Sequence, residues 1–395
     1  MEKLAFADGE KIGVFDGEKV TLYESAYIKR YREYAETRVK NNEWKHAGEG
    51  ALFRGDNDPS RTHKEKVDAR INGVEWDGDK VVYSFCVNDS SGVYRKDVSD
   101  EKAPEEHILS SSEESVFSLH RADNTLAVTV SSSAWGITSQ IGTLNTQTSE
   151  LKTLTDGDSR DANAFFSPVK NTLLFDSAGV GRDSDGEFTG KYSPSIIYGL
   201  DLASMEIEEV YKDEKLSYFK PKQAADGTLY CIQRPTKEKK GGNLFLDILL
   251  LPVRLFQAIA MFLQSFVMLF TGKSLTSGGD NPAKGRESNS RKLFVDGNLI
   301  EVEKEFKRNK KYKNGEYGFI PMSWKLVKIV DGKAEPIKSG ICDFALCADG
   351  GLYCTNGRHI YYVKDGNTKK IADTERCLCL ATQSVSTLSG DLFGF

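Results

Sequence analysis

A turn-and-strand phrase recurs along this chain at a nearly constant interval, and that repeat limits the available folds more than any other feature. It reads Trp76-Asp77-Gly78-Asp79-Lys80-Val81-Val82-Tyr83, Ala122-Asp123-Asn124-Thr125-Leu126-Ala127-Val128 and Ser167-Pro168-Val169-Lys170-Asn171-Thr172-Leu173-Leu174-Phe175. It returns as Ala225-Asp226-Gly227-Thr228-Leu229-Tyr230 and Ala348-Asp349-Gly350-Gly351-Leu352-Tyr353. The steps from 77 to 123 and from 123 to 169 are both 46 residues; those to 226 and 349 are 57 and 123. A unit of this size matches one four-stranded propeller blade, and the longer steps read as blades carrying insertions. Asp-Gly and Asp-Asn suit the turns, because a two-residue type I′ hairpin needs positive φ at both central positions.

The two ends of the chain resemble each other. Lys3–Gly9, Lys11–Gly17 and Lys19–Tyr23 run parallel in sequence to Gly351–Gly357, His359–Gly366 and Lys369–Ala372. The N-terminus is therefore expected to supply three outer strands of one blade, with Cys377–Thr382 as its inner strand. Such closure removes two free sheet edges and ties the termini together. A further strand from Asp391-Leu392-Phe393 would make the sharing two plus two. The expected fold is all-β, a six-bladed β-propeller with a helical, apolar insertion in its fifth blade. A β-sandwich or two separate β domains is the competing architecture.

The segment Phe166-Ser167-Pro168-Val169-Lys170-Asn171-Thr172-Leu173-Leu174-Phe175, followed by Ile197-Tyr198-Gly199-Leu200-Asp201-Leu202, resembles the repeat of TolB-like and WD40-like propellers of the PD40 type. In that family a Ser-Pro-Asp-Gly turn precedes a strand and a Tyr-x-x-Asp-Leu segment follows. Here Val169-Lys170 stands where the family has Asp-Gly. The resemblance covers most of the chain outside its insertions and implies a fold rather than an activity.

Three segments break the rhythm. Residues 25–45 mix Tyr27, Tyr31, Tyr34 and Val39 with charged residues, as a helix packed on the side of a blade would. Asp183-Ser184-Asp185-Gly186-Glu187 has the acidic look of a calcium loop, but Pro194 stands where an EF-hand needs its bidentate Glu, so a polar hairpin loop is expected. The third and longest insertion, 236–322, divides the propeller into 1–235 and 323–395. It begins with Lys237, Lys239 and Lys240, continues through the apolar run 244–270, and reaches a basic segment, 301–313, with Lys304, Lys307, Arg308, Lys310, Lys311 and Lys313.

The formal charge of −5 hides this segregation. Between Lys237 and Lys313 there are 15 basic and 8 acidic residues, a net of +7, which leaves −12 for the rest of the chain. Read as a helix, 244–270 would be about 40 Å long at ~1.5 Å per residue. Asp247, Arg254, Gln257, Gln264 and Ser265 would share an arc of about 140°. Leu249, Leu250, Leu255, Phe256, Ile259, Phe262, Leu263, Phe266 and Phe270 would lie elsewhere, forming a wide apolar face, with a kink at Pro252. Because strands of one ring flank the insertion, a single crossing of a membrane is excluded, and 27 residues are too few for two. An in-plane helix at a membrane surface is the expected role; cover by a protein partner, a second copy or the protein itself are the alternatives. The basic segment, with only Phe306 and Tyr312 interleaved and three glutamates, reads as a solvated charged hairpin rather than a nucleic-acid contact.

Recognisable reaction chemistry is sparse. The chain holds no Gly-x-Ser-x-Gly elbow, phosphate-binding loop, His-Glu-x-x-His or dinucleotide fingerprint, and no cofactor is implied. Cys377-x-Cys379 places two thiols on one strand face and lacks the spacing of a zinc site; the seven cysteines read as reduced thiols of a cytoplasmic protein. No apolar h-region of a secretory signal precedes Asp8-Gly9. The expectation is a non-catalytic binding or scaffold protein, peripheral to a membrane, with a protein partner. An enzyme with a metal site in the central channel is the alternative, marked by Asp, Glu, Asn or His side chains converging on the axis.

Overall fold

The computed structural model describes residues 1–42, 67–88, 90–100, 102–132, 137–236, 291–312 and 317–383. They form six antiparallel sheets, each the size of a blade. Blade one joins β1 (Leu4–Asp8), β2 (Lys11–Phe15) and β3 (Val20–Glu24) to the last strand, β27 (Leu380–Thr382). Blade two is β4 (Ala69–Asp77), β5 (Lys80–Val87), β6 (Ser90–Asp97) and β7 (Glu106–Ser111). Blade three is β8 (Ser115–Ala122), β9 (Thr125–Ser131), β10 (Gln140–Asn145) and β11 (Leu151–Thr153). Blade four is β12 (Ser159–Phe166), β13 (Thr172–Arg182), β15 (Ile196–Asp201) and β16 (Ile207–Tyr211), with β14 (Phe188–Tyr192) paired to the extended end of β13. Blade five is β17 (Leu216–Gln223), β18 (Leu229–Pro235), β21 (Lys325–Val330) and β22 (Lys333–Ser339). Blade six is β23 (Asp343–Leu346), β24 (Leu352–Thr355), β25 (His359–Lys364) and β26 (Asn367–Asp373). The six-bladed propeller expected from the repeat is thus the fold, not a sandwich.

The ring closes one plus three. Leu4, Ala5 and Phe6 pair with Thr382, Ala381 and Leu380. The carboxylate of Asp8 accepts the backbone N–H groups of Glu375 and Arg376 at 2.6 and 3.0 Å, which positions the chain as it enters β27. Trp76 of blade two donates its indole N–H to the carbonyl of Ala381 at 3.1 Å. Residues 391–393, the other candidate closing strand, lie outside the described residues.

Each joint between blades carries apolar contacts of its own, because the inner-facing residues of one sheet pack on the next. Leu4, Phe6 and Phe15 of blade one meet Ala345, Tyr353 and Ile360 of blade six. Ala5, Ile12 and Val14 meet Ile71, Val74 and Phe85 of blade two. Val82 and Val93 pack on Val116 and Leu126; Ala127 and Ile141 on Phe166 and Phe175; Ile197 on Tyr218 and Val327; and Phe219 and Ile232 on Phe344 and Cys354. These six contacts complete the circle. All seven cysteines are free, and burial raises the Cys354 and Cys379 thiols to about 12.

The insertion leaves blade five between β18 and β21. Its apolar run and the expected amphipathic helix, with Leu249, Leu250, Leu255, Phe256, Ile259, Phe262, Leu263, Phe266 and Phe270, lie outside the described residues, as do Lys237, Lys239, Lys240 and Lys313. Among the described residues no helix is long and apolar enough to cross a membrane. The described part returns as a separate hairpin, β19 (Lys292–Val295) and β20 (Asn298–Glu301), and a short helix, α2 (Val302–Asn309). The basic segment is therefore helical where a charged hairpin is expected. Its i,i+3 pairs, Glu301 with Lys304 and Glu305 with Arg308, fit helical spacing. The buried side chain of Asn309 donates to the carbonyls of Gly318 and Ile320, fastening the end of α2 to the following loop.

After β3 the chain forms helix α1 (Ala26–Asn42), which lays Tyr27 against Phe85 and Tyr94 of blade two, with ring centroids 4.7 and 5.7 Å apart. Ser25 caps the helix through Ile28 N–H. Glu105 faces the same helix end, accepting Ala26 N–H at 3.1 and 3.0 Å, the Tyr83 hydroxyl at 2.7 Å and the Lys96 ammonium at 3.2 Å. The side chains of Lys96 and Glu105 are only 6% and 3% exposed. Removing one member of a buried ion pair leaves the other charge unsolvated. Glu105→Ala is therefore expected to lower the unfolding free energy by about 3–5 kcal/mol in urea titration, against under about 1 kcal/mol for the exposed Glu303→Ala.

Candidate functional site: a charged central channel

The six inner strands and the tip of the β19–β20 hairpin line one cavity of about 1130 Å³ along the axis. Four inner strands carry a register break where they face it: β4 at Ile71/Gly73, β8 at Phe117/Leu119, β12 at Ala162/Phe165 and β17 at Phe219/Lys222. The extra residue of a bulge leaves the ladder and re-aims its side chain. Ser118, Asn163 and Lys220 occupy three of these bulges with φ of 39°, 57° and 54°, a conformation that costs a non-glycine residue about 1–2 kcal/mol. The repeat thus spends backbone strain at equivalent places to point polar groups at the axis.

At one part of the cavity these groups form a continuous ion network. Arg160 of β12 donates to Asp176 of β13 at 3.1 Å and to Asp296, at the hairpin tip, at 3.1 Å. Asn163 bonds the same two carboxylates at 2.7 and 3.1 Å. Lys220 of β17 lies 3.7 Å from Asp296 and 3.4 Å from Asp343 of β23, and donates to the carbonyl of Leu378. Asp343 in turn accepts Leu380 N–H at 2.7 Å, in the closing strand. The chain Arg160, Asp296, Lys220, Asp343 and Leu380 therefore runs from blade four through five and six to blade one.

The electrostatics follow from burial and partners. Burial would raise the Asp296 carboxyl, but Lys220 and Arg160, with the Asn163 bond, outweigh it and hold it below the usual range. Burial would discharge Lys220, yet Asp343 and Asp296 overcome it and raise its affinity for the proton. Asp176 is fully buried, and desolvation outweighs Arg160 to push its carboxyl up. Asp296 and Asp343 line the cavity with Asn163, the kind of convergence the enzyme alternative requires, while Asp176 lies behind them, fully buried. Arginine, lysine and asparagine nitrogens already bond these carboxylates, so a metal ion would have to displace those donors. Among the described residues no group of His, Cys, Asp and Glu side chains has the arrangement of a metal site.

A second constellation, Glu75, His120 and Lys222, lines the same cavity. Phe166 N–H donates to His120 Nδ1 at 3.0 Å, which assigns the remaining proton of the neutral ring to Nε2, and the ring stacks on Phe165 with centroids 3.8 Å apart. Burial, then Lys222 and Arg121, lower His120 to about 3. Burial raises Glu75 to about 7 against Trp76 N–H, Lys222 and Arg121. Lys222 donates to the carbonyl of Phe344 and stands 3.8 Å from Asp343.

The sequence-level candidates fall elsewhere. Lys304, Lys307, Arg308, Lys310 and Lys311 are exposed on or just after α2, with Lys310 over the Phe306 ring at 5.3 Å; none lines the channel. The channel residues escape sequence reading because they come from several strands and one hairpin turn and meet their partners only through ring closure. One signal does exist: Asp296-Gly297 between Leu293-Phe294-Val295 and Leu299-Ile300 is a two-residue hairpin turn, and the observed φ values of 45° and 78° are those of its type I′ form.

Glu75 generates a pH prediction. Its folded-state value, about 7, exceeds the ordinary 4.5, so the folded protein holds the extra proton between those values and loses that stabilisation as pH rises through about 7. The difference between those two values corresponds to about 3 kcal/mol. Relative to the parent, Glu75→Gln should become more stable by about that amount when urea unfolding is measured at pH 8 rather than pH 4.5. A pH-independent difference would count against a buried, proton-holding Glu75.

No protein-family model matches this chain, and no curated protein matches it in sequence. Among solved structures it is similar to TolB from Acinetobacter baumannii, with a TM-score of 0.50 and 11% identity over 96% of this chain and 66% of that one. It spans just under two thirds of that chain. The tricorn protease is also similar, with a TM-score of 0.44 and 13% identity over 96% of this chain but 34% of that one. At such identities the likeness concerns the fold alone. With the six sheets and their closure, it makes the protein a six-bladed β-propeller of the TolB-like fold.

Proposed function

We propose that this protein is a non-catalytic binding propeller of the cytoplasm that engages a protein partner and sits peripherally on a membrane through residues 244–270. The observation that carries the binding part is the channel's reception of a polypeptide turn: Asp296, presented by an element outside every blade, is held by Arg160, Asn163 and Lys220. The TolB-like fold is consistent with this reading, since a propeller offers a preformed concave surface on a rigid ring.

The membrane part rests on sequence and topology. β18 and β21 pair within one blade, so an odd number of crossings by the chain between them would put neighbouring strands on opposite sides of a bilayer. A helix lying in the interface meets that constraint. Each buried Leu or Phe of the apolar face would contribute roughly 1.5–3 kcal/mol, and each basic residue near an anionic surface about 1 kcal/mol. Lys304, Lys307, Arg308, Lys310 and Lys311 are exposed and available for that second role.

Flotation of the full chain with vesicles of phosphatidylcholine alone and with phosphatidylserine added tests this reading. The parent should float, more strongly with the anionic lipid, and Phe256→Asp/Phe262→Asp should remain at the bottom of the gradient. Equal behaviour of parent and variant would overturn the membrane role. A native mass of two or more chains that falls to one in the variant would assign the apolar face to self-association instead.

A further inference from the structure

The hairpin β19–β20 pairs with no blade, yet its tip reaches the axis. Val295 and Ile300, on one face, are buried among Phe219, Ile232 and Trp324, while the cross-strand pair Phe294 and Leu299 on the other is 41% and 61% exposed. At the tip, Asp296 receives Arg160 and Asn163 at 3.1 Å each on Oδ1 and faces Lys220 at 3.7 Å on Oδ2; its carbonyl receives Arg234 at 2.8 Å.

The receiving side chains do not depend on the hairpin for their placement. Asp176 holds Arg160 and Asn163 at 3.1 and 2.7 Å, and Asp343 holds Lys220 at 3.4 Å. Both aspartates belong to blades, so the site keeps its shape when the tip is elsewhere. Without Asp296 the blades would present Arg160, Lys220 and Lys222 to Asp176 and Asp343, an excess of positive charge in a largely desolvated pocket. Arg160 Nη2, the Asn163 amide and the Lys220 ammonium, the three groups that face Asp296, together suit a carboxylate. The adjoining cavity of about 1130 Å³ gives a peptide room to approach.

Building on the binding role above, we propose that Asp296 is a displaceable internal ligand. The Arg160–Asn163–Lys220 site is a carboxylate receptor for an aspartate side chain in an acidic turn of a partner protein, and the hairpin keeps it filled until the partner exchanges with it.

The test uses the full chain and the dipeptide N-acetyl-Asp-Gly-amide, which copies the Asp296-Gly297 tip, with N-acetyl-Asn-Gly-amide as control, by titration calorimetry. Asp296→Ala should bind the aspartyl peptide at least about tenfold more tightly than the parent, the asparaginyl peptide should bind neither, and adding Arg160→Met should abolish the gain. Equal affinities for parent and Asp296→Ala, equal affinities for the two peptides, or a gain surviving Arg160→Met would each overturn the proposal. Folding of the variant is followed in parallel: acetate should raise the unfolding midpoint of Asp296→Ala, relative to chloride at equal ionic strength, and leave the parent unchanged. If Asp296→Ala cannot be purified, Asp296→Asn serves in both measurements with the same outcomes. Vesicle flotation of Asp296→Ala should equal that of the parent, so failure of the membrane role and failure of the carboxylate site are read separately.

Discussion

Charges that ring closure brings to the axis must be neutralised there, and a salt-bridged chain from Arg160 through Asp296, Lys220 and Asp343 to the backbone of Leu380 does this. Apolar packing joins each blade only to its neighbours, whereas this network links four of the six across the axis. It also sits where a propeller has least backbone to spare. Inner strands converge there, and the charges they bring must neutralise one another because water is scarce. The left-handed conformations at Asn163 and Lys220 are the local strain that this arrangement demands.

Two different electrostatic regimes share the cavity. At Asp296 and Lys220 opposite charges outweigh desolvation, whereas at Asp176 desolvation prevails and pushes the carboxyl up. Around Glu75 and His120, desolvation wins, and both side chains are pushed toward their neutral forms. The two neutral-leaning groups bind protons in opposite senses. Between about pH 4.5 and 6.5 folding retains a proton on Glu75 and refuses one on His120, so their effects on stability oppose each other.

Much of the architecture was legible before the structure. The 46-residue spacing of Asp77, Asp123 and Val169 reports blade size because each blade needs four strands and three turns, and the likeness of residues 3–23 to 351–372 reports closure because both ends build the same outer strands. The basic segment at 301–313 reads as a hairpin because its lysines and glutamates suit an exposed strand as well as an exposed helix; the burial of Glu305 and Asn309, with Asn309 bonded to the carbonyls of Gly318 and Ile320, decides for α2. Hydropathy marks 244–270, whereas the polar groups at the channel and the carboxylate behind them, Asp176 in Leu173-Leu174-Phe175-Asp176, carry no periodic signal.

Sequence by itself determined the repeat, the number of blades, the joining of the two termini and the separation of a basic, apolar module from an acidic body, since each of these depends on local turn chemistry or on charge counted along the chain. Tertiary structure alone decided that Asp296, at the tip of that module's hairpin, meets Arg160, 136 residues away, in the centre of the ring. No local rule could place it there. A contact of that kind exists only once six sheets have closed and brought their inner strands to a common axis.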